Sequence, residues 1–466
     1  MSAAGRPRPE TVGIGAPELS APPKAFTSAW LASELRALIG PLAGRKLCVA
    51  YSGGPDSAAL LAALASLRRV HRFGLRALHV HHGLQPGADG WAQHALAQAR
   101  QLRVPCELLR VTVICARGES LEAAARAARY RALSQQLTAG ELLLTAHHQE
   151  DQLETVLLAL MRGSGVRGLG AMAPLTPWSG TLLVRPLLSV DRSQLEHYGS
   201  ERGLSWIDDP TNEDLRFDRS YLRARVVPPL RARWPSAALT AARSAAHLRE
   251  ARALLEQLAA RSLLEARDGV TLRVSALVRL ALPDRKNALR LWIAERGLSA
   301  PDYRRLHEIA GPMLAARADA LPRVRWKGGE LRRFGDRLFA LQGPPAALSD
   351  CEWAWHRQPR LEFEDASALT LARERHGDVQ LSALPARLTV RFRRGGERLQ
   401  SGSGHIALKQ LLQTQAIPPW AREQVPLVAA GERIVAVADL WLHPAYRARE
   451  ETRPSERGRL HWQRLD

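Results

Sequence analysis

Apolar and polar positions alternate in blocks along the first half of the chain. Residues 46–51 (Lys-Leu-Cys-Val-Ala-Tyr) form a short apolar run of the kind a buried strand needs, and 58–67 are rich in Ala and Leu, as a helix would be. The same alternation continues with strands expected at 75–80, 106–113 and 141–145, and helices at 91–102, 121–137 and 151–161. Strands separated by helices of this length predict an α/β fold, a doubly wound, mainly parallel sheet covered on both faces. From about residue 236 the period changes to that of helices, over 238–261, 284–296 and 303–316. Residues 342–384 resist assignment, with Gly343-Pro344-Pro345 and Trp353-x-Trp355 as their landmarks. Beyond them Leu388-Thr389-Val390-Arg391-Phe392-Arg393 alternates with period two, so Leu388, Val390 and Phe392 share one face of a strand and Thr389, Arg391 and Arg393 the other. The chain thus divides into a disordered extension over 1–28, an α/β domain over 29–235 and a helical middle domain over 236–341. Residues 342–384 form a linker or part of the flanking domains, and 385–466 a small α+β domain.

Between the first strand and helix stands Ser52-Gly53-Gly54-Pro55-Asp56-Ser57. Glycines allow a sharp turn and a close backbone approach to phosphate, and the first helical turn adds unpaired N–H groups and a positive dipole end. The Gly-x-x-x-x-Gly-Lys-Ser/Thr loop of kinases and GTPases is absent, and no Gly-x-Gly-x-x-Gly stands here.

Charge sharpens this picture. The formal net charge is +20, and all but five of the 66 basic residues are arginine. A phosphate-rich partner is the economical explanation. No apolar run approaches the roughly 18 residues that span a bilayer. Cys48, Cys106, Cys115 and Cys351 form no C-x-x-C pair, which fits a cytoplasmic protein and argues against disulfides or an iron–sulfur cluster.

In a parallel sheet nucleotides bind at the carboxyl ends of the strands, where Ser52, His81 and Thr145 fall. The second strand ends in His79-Val80-His81-His82-Gly83-Leu84, and the fourth in Thr145-Ala146-His147-His148-Gln149-Glu150-Asp151-Gln152-Leu153-Glu154-Thr155. Nucleotide and substrate contacts suit these histidines better than a shared metal ion. Asp151 and Glu154 lie at i and i+3 near a helix start, either as binding groups or as partners of the helix dipole.

Several further patterns occur in order: Leu121-Glu122-x-x-x-Arg126-x-x-Arg129-Tyr130, Arg162-Gly163-x-Gly165-x-x-Gly168-Leu169, Arg185-Pro186-Leu187-Leu188 and Trp206-x-Asp208-Asp209-Pro210-Thr211-Asn212. The loop resembles that of the N-type ATP pyrophosphatases. The whole series, over about 46–230, resembles the tRNA(Ile)-lysidine synthetases, which join lysine to the wobble cytidine of an isoleucine tRNA with a CAU anticodon. Two positions depart from the family pattern: Glu150 where an aspartate is common, and Ser220 where an asparagine is common.

The resemblance implies roles. ATP would be held by Ser52, Gly53, Gly54, Pro55, Asp56, Ser57, His81 and His147, with Mg2+ on Asp56. Cytidine O2 would attack the α-phosphate, and the lysine amine would then attack C2 and expel AMP. Asp56, Asp151, Glu154 and Arg126 are the implied catalytic residues, with Asp151 or Glu154 either accepting the amine proton or holding the lysine α-amino group. Arg129, Arg162, Gly163, Gly165, Arg185, Asp208, Arg219 and Arg223 are the implied substrate contacts. Arg391, Arg393, Arg394 and Lys409 would grip the tRNA acceptor stem. The middle domain reads as a packing module or as a direct tRNA contact, and a monomer and a homodimer stay equally open. The rivals are a tRNA thiolase with the same loop, which lacks its cysteines here, and a basic RNA-binding protein with a degenerate loop.

Overall fold

The computed structural model describes residues 22–85, 87–115, 120–207, 214–317, 319–343, 348–401 and 404–463. These form two compact units, 1–255 and 256–466. The described chain begins inside the expected extension, and Phe26 is already buried in the core of the first unit.

The first unit is built on strands β1 (Lys46–Ala50), β2 (Gly74–His81), β3 (Cys106–Arg110), β4 (Glu141–Leu144), β5 (Leu175–Trp178) and β6 (Thr181–Val184). Their order is β3-β2-β1-β4-β6-β5, parallel except for β5, which runs antiparallel to β6. Helices α1 (Ser28–Ile39), α2 (Pro55–His71), α3 (Ala88–Gln101), α4 (Leu121–Gln136) and α5 (Gln149–Met161) connect or cover them. Because side chains alternate along a strand, Leu47 and Val49 of β1 enter a core with Leu31, Leu60 and Leu64, while Cys48 points the other way, to Leu78, Leu133 and Leu143. Both faces are therefore covered, as near-continuous apolar runs require. From β1 the chain winds out to β3, then returns to β4 on the other flank. β1 and β4 thus flank the switch point, where their carboxyl ends open a crevice. The β5–β6 hairpin is additional to the expected strands. It turns through Ser179 (φ 46°) and Gly180 (φ 78°), both left-handed, as a tight two-residue hairpin needs.

The second unit carries two of the expected helices, as Leu282–Glu295 and Tyr303–Glu308, and in addition a five-stranded antiparallel sheet over Arg267–Asp268, Thr271–Arg273, Arg337–Leu341, Gly329–Phe334 and Arg323–Trp326. Leu272, Trp292, Ile293, Leu331 and Leu338 share its core. The unassigned stretch joins the carboxy-terminal sheets. Cys351–Trp353 pairs with Leu388–Arg391, and Ala368–Arg373 pairs with Arg457–Gln463. Leu388, Val390 and Phe392 are buried, as the alternation requires.

Candidate active site

The loop after β1 makes its turn at Gly53, whose φ of 85° belongs to the left-handed region and favours glycine. Ser52 and Ser57 hydroxyls lie 3.0 Å apart, and Ser57 donates to the Gly54 carbonyl at 3.1 Å. Gly54 caps α2 without a side-chain hydrogen bond, and Pro55 opens the helix. The first N–H groups of a 17-residue helix are thus left facing the crevice, which is the arrangement that binds phosphate. Behind the loop, His79 Nδ1 lies 2.9 Å from the Tyr51 carbonyl, and the Tyr51 hydroxyl donates to Gln98, which in turn donates to the Ser205 carbonyl.

At the same sheet end, Arg126 and Arg129 of α4 lie 5.0 and 5.3 Å from the Tyr130 ring centre. Arg185, after β6, is buried and donates to the Ala173 carbonyl and the Thr176 hydroxyl at 2.8 and 2.9 Å. His147 Nδ1 lies 2.8 Å from the Thr145 hydroxyl. Desolvation, reinforced by Arg185, Arg129 and Arg126 and opposed by Asp151, pushes the His147 imidazole down to about 3, so it is neutral at pH 7. His82 is lowered too, by burial first and by Arg129. His81 Nε2 stands 3.3 Å from Asp89.

The first turn of α5 carries the acidic half of the site. His148 is the centre: its Nε2 lies 3.6 Å from Asp56 Oδ2 and 3.4 Å from Asp151 Oδ2, its Nδ1 3.0 Å from Glu150 Oε2, and its backbone N–H donates to Asp151 at 3.0 Å. Although burial opposes the charge, Asp151, Asp56 and Glu150 hold the imidazole well above its ordinary range. Burial would likewise raise Asp151, but His148, His147, a backbone N–H and Arg223 bring it down to about 2. Glu154 is fully buried and held by Arg223 through two hydrogen bonds, Nε at 2.8 Å and NH2 at 3.1 Å. Its burial wins over the Arg223 charge and shifts the carboxyl upward. Arg219 approaches Asp151 and Glu154 at 3.9 Å and donates to the Thr155 hydroxyl at 3.3 Å. Arg219 and Arg223, implied by the resemblance as substrate contacts, thus lie against the carboxylates of α5.

Asp56 also answers whether a hard cation fits. Among the described residues its buried Oδ1 has no hydrogen-bond partner, and no group of three or more His, Cys, Asp or Glu forms a metal cage. One open carboxylate oxygen beside a phosphate loop suits Mg2+, which is commonly held by one or two carboxylates together with substrate phosphates and water.

The remaining expected residues are dispersed. Arg162 ends α5 and reaches Asp218 at 3.4 Å, Gly163 takes a φ of 65°, and Gly165 caps the short helix Val166–Leu169. Asp208 lies outside the described residues. In the second unit Arg391 reaches the Glu432 carbonyl and Arg394 pairs with Asp350. The Nε of Arg393 is buried with no hydrogen-bond partner among the described residues, and Lys409 is exposed. Sequence reasoning passed over Arg231 and gave Glu150 no role. Arg231 follows Pro228-Pro229 with no motif around it, and only the fold brings it to Glu150, at 2.8 Å.

Comparison with known proteins covers the chain in three segments. A PP-loop domain matches residues 28–230, a TilS substrate binding domain 272–339 and a TilS substrate C-terminal domain 388–462. Curated relatives are similar over most of their length. A tRNA(Ile)-lysidine synthase of Alkalilimnicola ehrlichii is 42% identical over 416 residues, covering 89% of this chain and 93% of the relative. Those of Methylococcus capsulatus and Coxiella burnetii are 40% and 37% identical, covering 84% and 87% of this chain and 91% of each relative.

Proposed function

Given that the chain belongs to the tRNA(Ile)-lysidine synthase family, we propose that it uses ATP to join lysine to C2 of the wobble cytidine of an isoleucine tRNA with a CAU anticodon, releasing AMP and pyrophosphate. The observation that carries this reading is the meeting at His148. There the phosphate loop's Asp56 and the acidic helix's Asp151 come within 3.6 Å of one imidazole, at the switch point of the sheet. A phosphate-binding edge and a cation-binding edge thus share one crevice.

Little covalent work falls to the protein; it positions substrates and offsets charge. The N–H groups of the loop and of the first turn of α2 hold the phosphates of ATP. Mg2+ held at Asp56 supplies charge neutralisation at those phosphates. Arg126, Arg129 and Arg185 line the flank that meets the α-phosphate as cytidine O2 attacks it. Neutral His147 can accept or donate a hydrogen bond there without adding charge.

The lysine ε-amine must then be neutral to attack C2, although its ordinary pKa is about 10.4. The two carboxylates of α5 differ in environment, and such divergence separates roles. Asp151, held near 2, stays ionised and seats the cationic amine. Glu154, shifted upward, is the better proton acceptor. Each of its oxygens accepts one hydrogen bond from Arg223, and a carboxylate oxygen has a second lone pair for a proton.

Arg391, Arg393 and Lys409 serve tRNA affinity and take no part in the chemistry. No helix among the described residues is long and apolar enough to cross a membrane, and a tRNA substrate points to the cytoplasm. The reading is tested by pyrophosphate–ATP exchange with an isoleucine tRNA transcript. Exchange dependent on tRNA and independent of lysine supports adenylation of the base; exchange dependent on lysine alone refutes it.

A further inference from the structure

Glu150 is buried at 7% exposure and satisfied on three sides. Its Oε2 accepts from His148 Nδ1 at 3.0 Å and from the Arg192 backbone N–H at 3.1 Å, and its Oε1 accepts from Arg231 NH1 at 2.8 Å. The other arm of Arg231 donates to Asp191 Oδ2 at 3.1 Å. Asp191 is fixed in turn, because its Oδ1 accepts from the Ser193 N–H at 2.9 Å and caps the helix Arg192–Glu201. Arg231 lies on the helix Val227–Arg233, which packs on α5 through Val227 and Leu153. A chain of contacts thus runs from two separate helices through Arg231 and Glu150 to the imidazole of His148.

The far end of that chain matters. With Nδ1 tied to Glu150, the ring has one orientation left for Nε2, which faces Asp56 Oδ2 at 3.6 Å and Asp151 Oδ2 at 3.4 Å. With that contact on Oδ2, Asp56 Oδ1 is buried and has no hydrogen-bond partner among the described residues. We infer that Glu150 is a positioning residue for the Asp56 carboxylate, orienting it through His148, with Arg231 as the anchor of the arrangement. The inference rests on the reading of Asp56 as the cation-binding carboxylate. The alternative is an interior ion pair that only pins α5, for which the contacts beyond Arg231–Glu150 are incidental.

Positioning and simple charge predict opposite signs for one substitution, and this makes the test. Removing the positive charge of Arg231 should strengthen cation binding nearby if only the local field matters. It should weaken binding if Arg231 holds the carboxylates in place. The experiment titrates Mn2+ by electron paramagnetic resonance into the full chain with α,β-methylene-ATP, for the parent, Arg231→Met, Glu150→Gln and Asp56→Asn. We expect Glu150→Gln to weaken Mn2+ binding about tenfold, the scale of one charge-assisted hydrogen bond, and Arg231→Met to weaken it by about threefold or more, with tRNA affinity unchanged in both. Arg231 is partly exposed, so its variant serves even if the Glu150 variant fails to fold. Tighter or unchanged Mn2+ binding by Arg231→Met, with Asp56→Asn defective, overturns the positioning role alone. An Asp56→Asn protein that binds Mn2+ as the parent does overturns the cation assignment and the positioning role together.

Discussion

The Arg223–Glu154 pair allows a prediction with a worked magnitude. Glu154 is fully buried and both of its oxygens accept from Arg223, with Arg219 more distant at 3.9 Å. In Arg223→Met the carboxylate loses its main partner, and breaking a buried pair from one side costs about 3–5 kcal/mol. An escape limits that cost: the carboxyl can take up a proton. Doing so costs about 1.4 kcal/mol for each pH unit above the ordinary glutamate value of about 4.3, hence roughly 3–4 kcal/mol at pH 7. The expected loss is therefore about 3 kcal/mol at pH 7 and about 1 kcal/mol at pH 5. The sign follows from linkage. The lone carboxyl has a raised folded-state pKa, so stability falls as pH rises above the unfolded value, until the folded pKa is passed. Hydrogen exchange of the peptide 149–161, corrected for intrinsic rates, reads this locally without assuming two-state unfolding of a multidomain chain. Exchange in Arg223→Met should be about a hundredfold faster than in the parent at pH 7, and within about tenfold at pH 5. The double variant with Glu154→Gln should lose less at pH 7 than Arg223→Met alone, because no buried charge remains. A loss in Arg223→Met below about 1 kcal/mol at pH 7, or one independent of pH, would refute the reasoning.

Other expectations follow from the same geometry. Asp56→Asn should abolish tRNA-dependent pyrophosphate exchange while tRNA affinity and the circular dichroism spectrum stay at parent values; exchange at the parent rate contradicts the assignment. Asp151→Asn should raise the lysine requirement steeply and leave the adenylated tRNA intermediate forming without lysine, whereas failure already at adenylation would move Asp151 to the metal or the fold. Cutting the chain at 387 would remove Leu388–Arg391, the partner of Cys351–Trp353, and Arg457–Gln463, one of the two partners of Ala368–Arg373, so substitution is the cleaner test of the carboxy-terminal basic residues. Replacing Arg391, Arg393 and Lys409 by Gln should lower tRNA affinity and reduce the slope of log affinity against log salt by about one for each phosphate no longer neutralised, with turnover at saturating tRNA unchanged.

What the sequence made legible follows from how local each signal is. The run 46–51, the glycine turn and the Ala-rich helix are local patterns, and the structure places them as β1, the loop at Gly53 and α2. The β5–β6 hairpin was missed because its strands are four residues long and one contains Pro177. The sheet of the second unit left a signal that went unused: 323–341 alternates apolar and polar positions around Gly328 (φ 94°) and Gly335 (φ 57°), two left-handed turns that helices do not contain. The resemblance implies substrate contacts for Arg219 and Arg223, and the order of motifs along the chain does not show which carboxylates they meet. Arg223 meets Glu154 across 69 residues and Arg231 meets Glu150 across 81, so only the docking of the helical turn Leu222–Val226 and the helix Val227–Arg233 on α5 brings them together.

The most direct test of the central claim follows labelled lysine into tRNA. The full chain, ATP, Mg2+ and radiolabelled lysine are incubated with an isoleucine tRNA transcript bearing CAU, and in parallel with the same transcript bearing UAU. Label is expected in the CAU transcript alone, with one lysine for each AMP formed and lysidine at the wobble position on nucleoside analysis. ATP turnover without lysine transfer, or equal labelling of both transcripts, would contradict it.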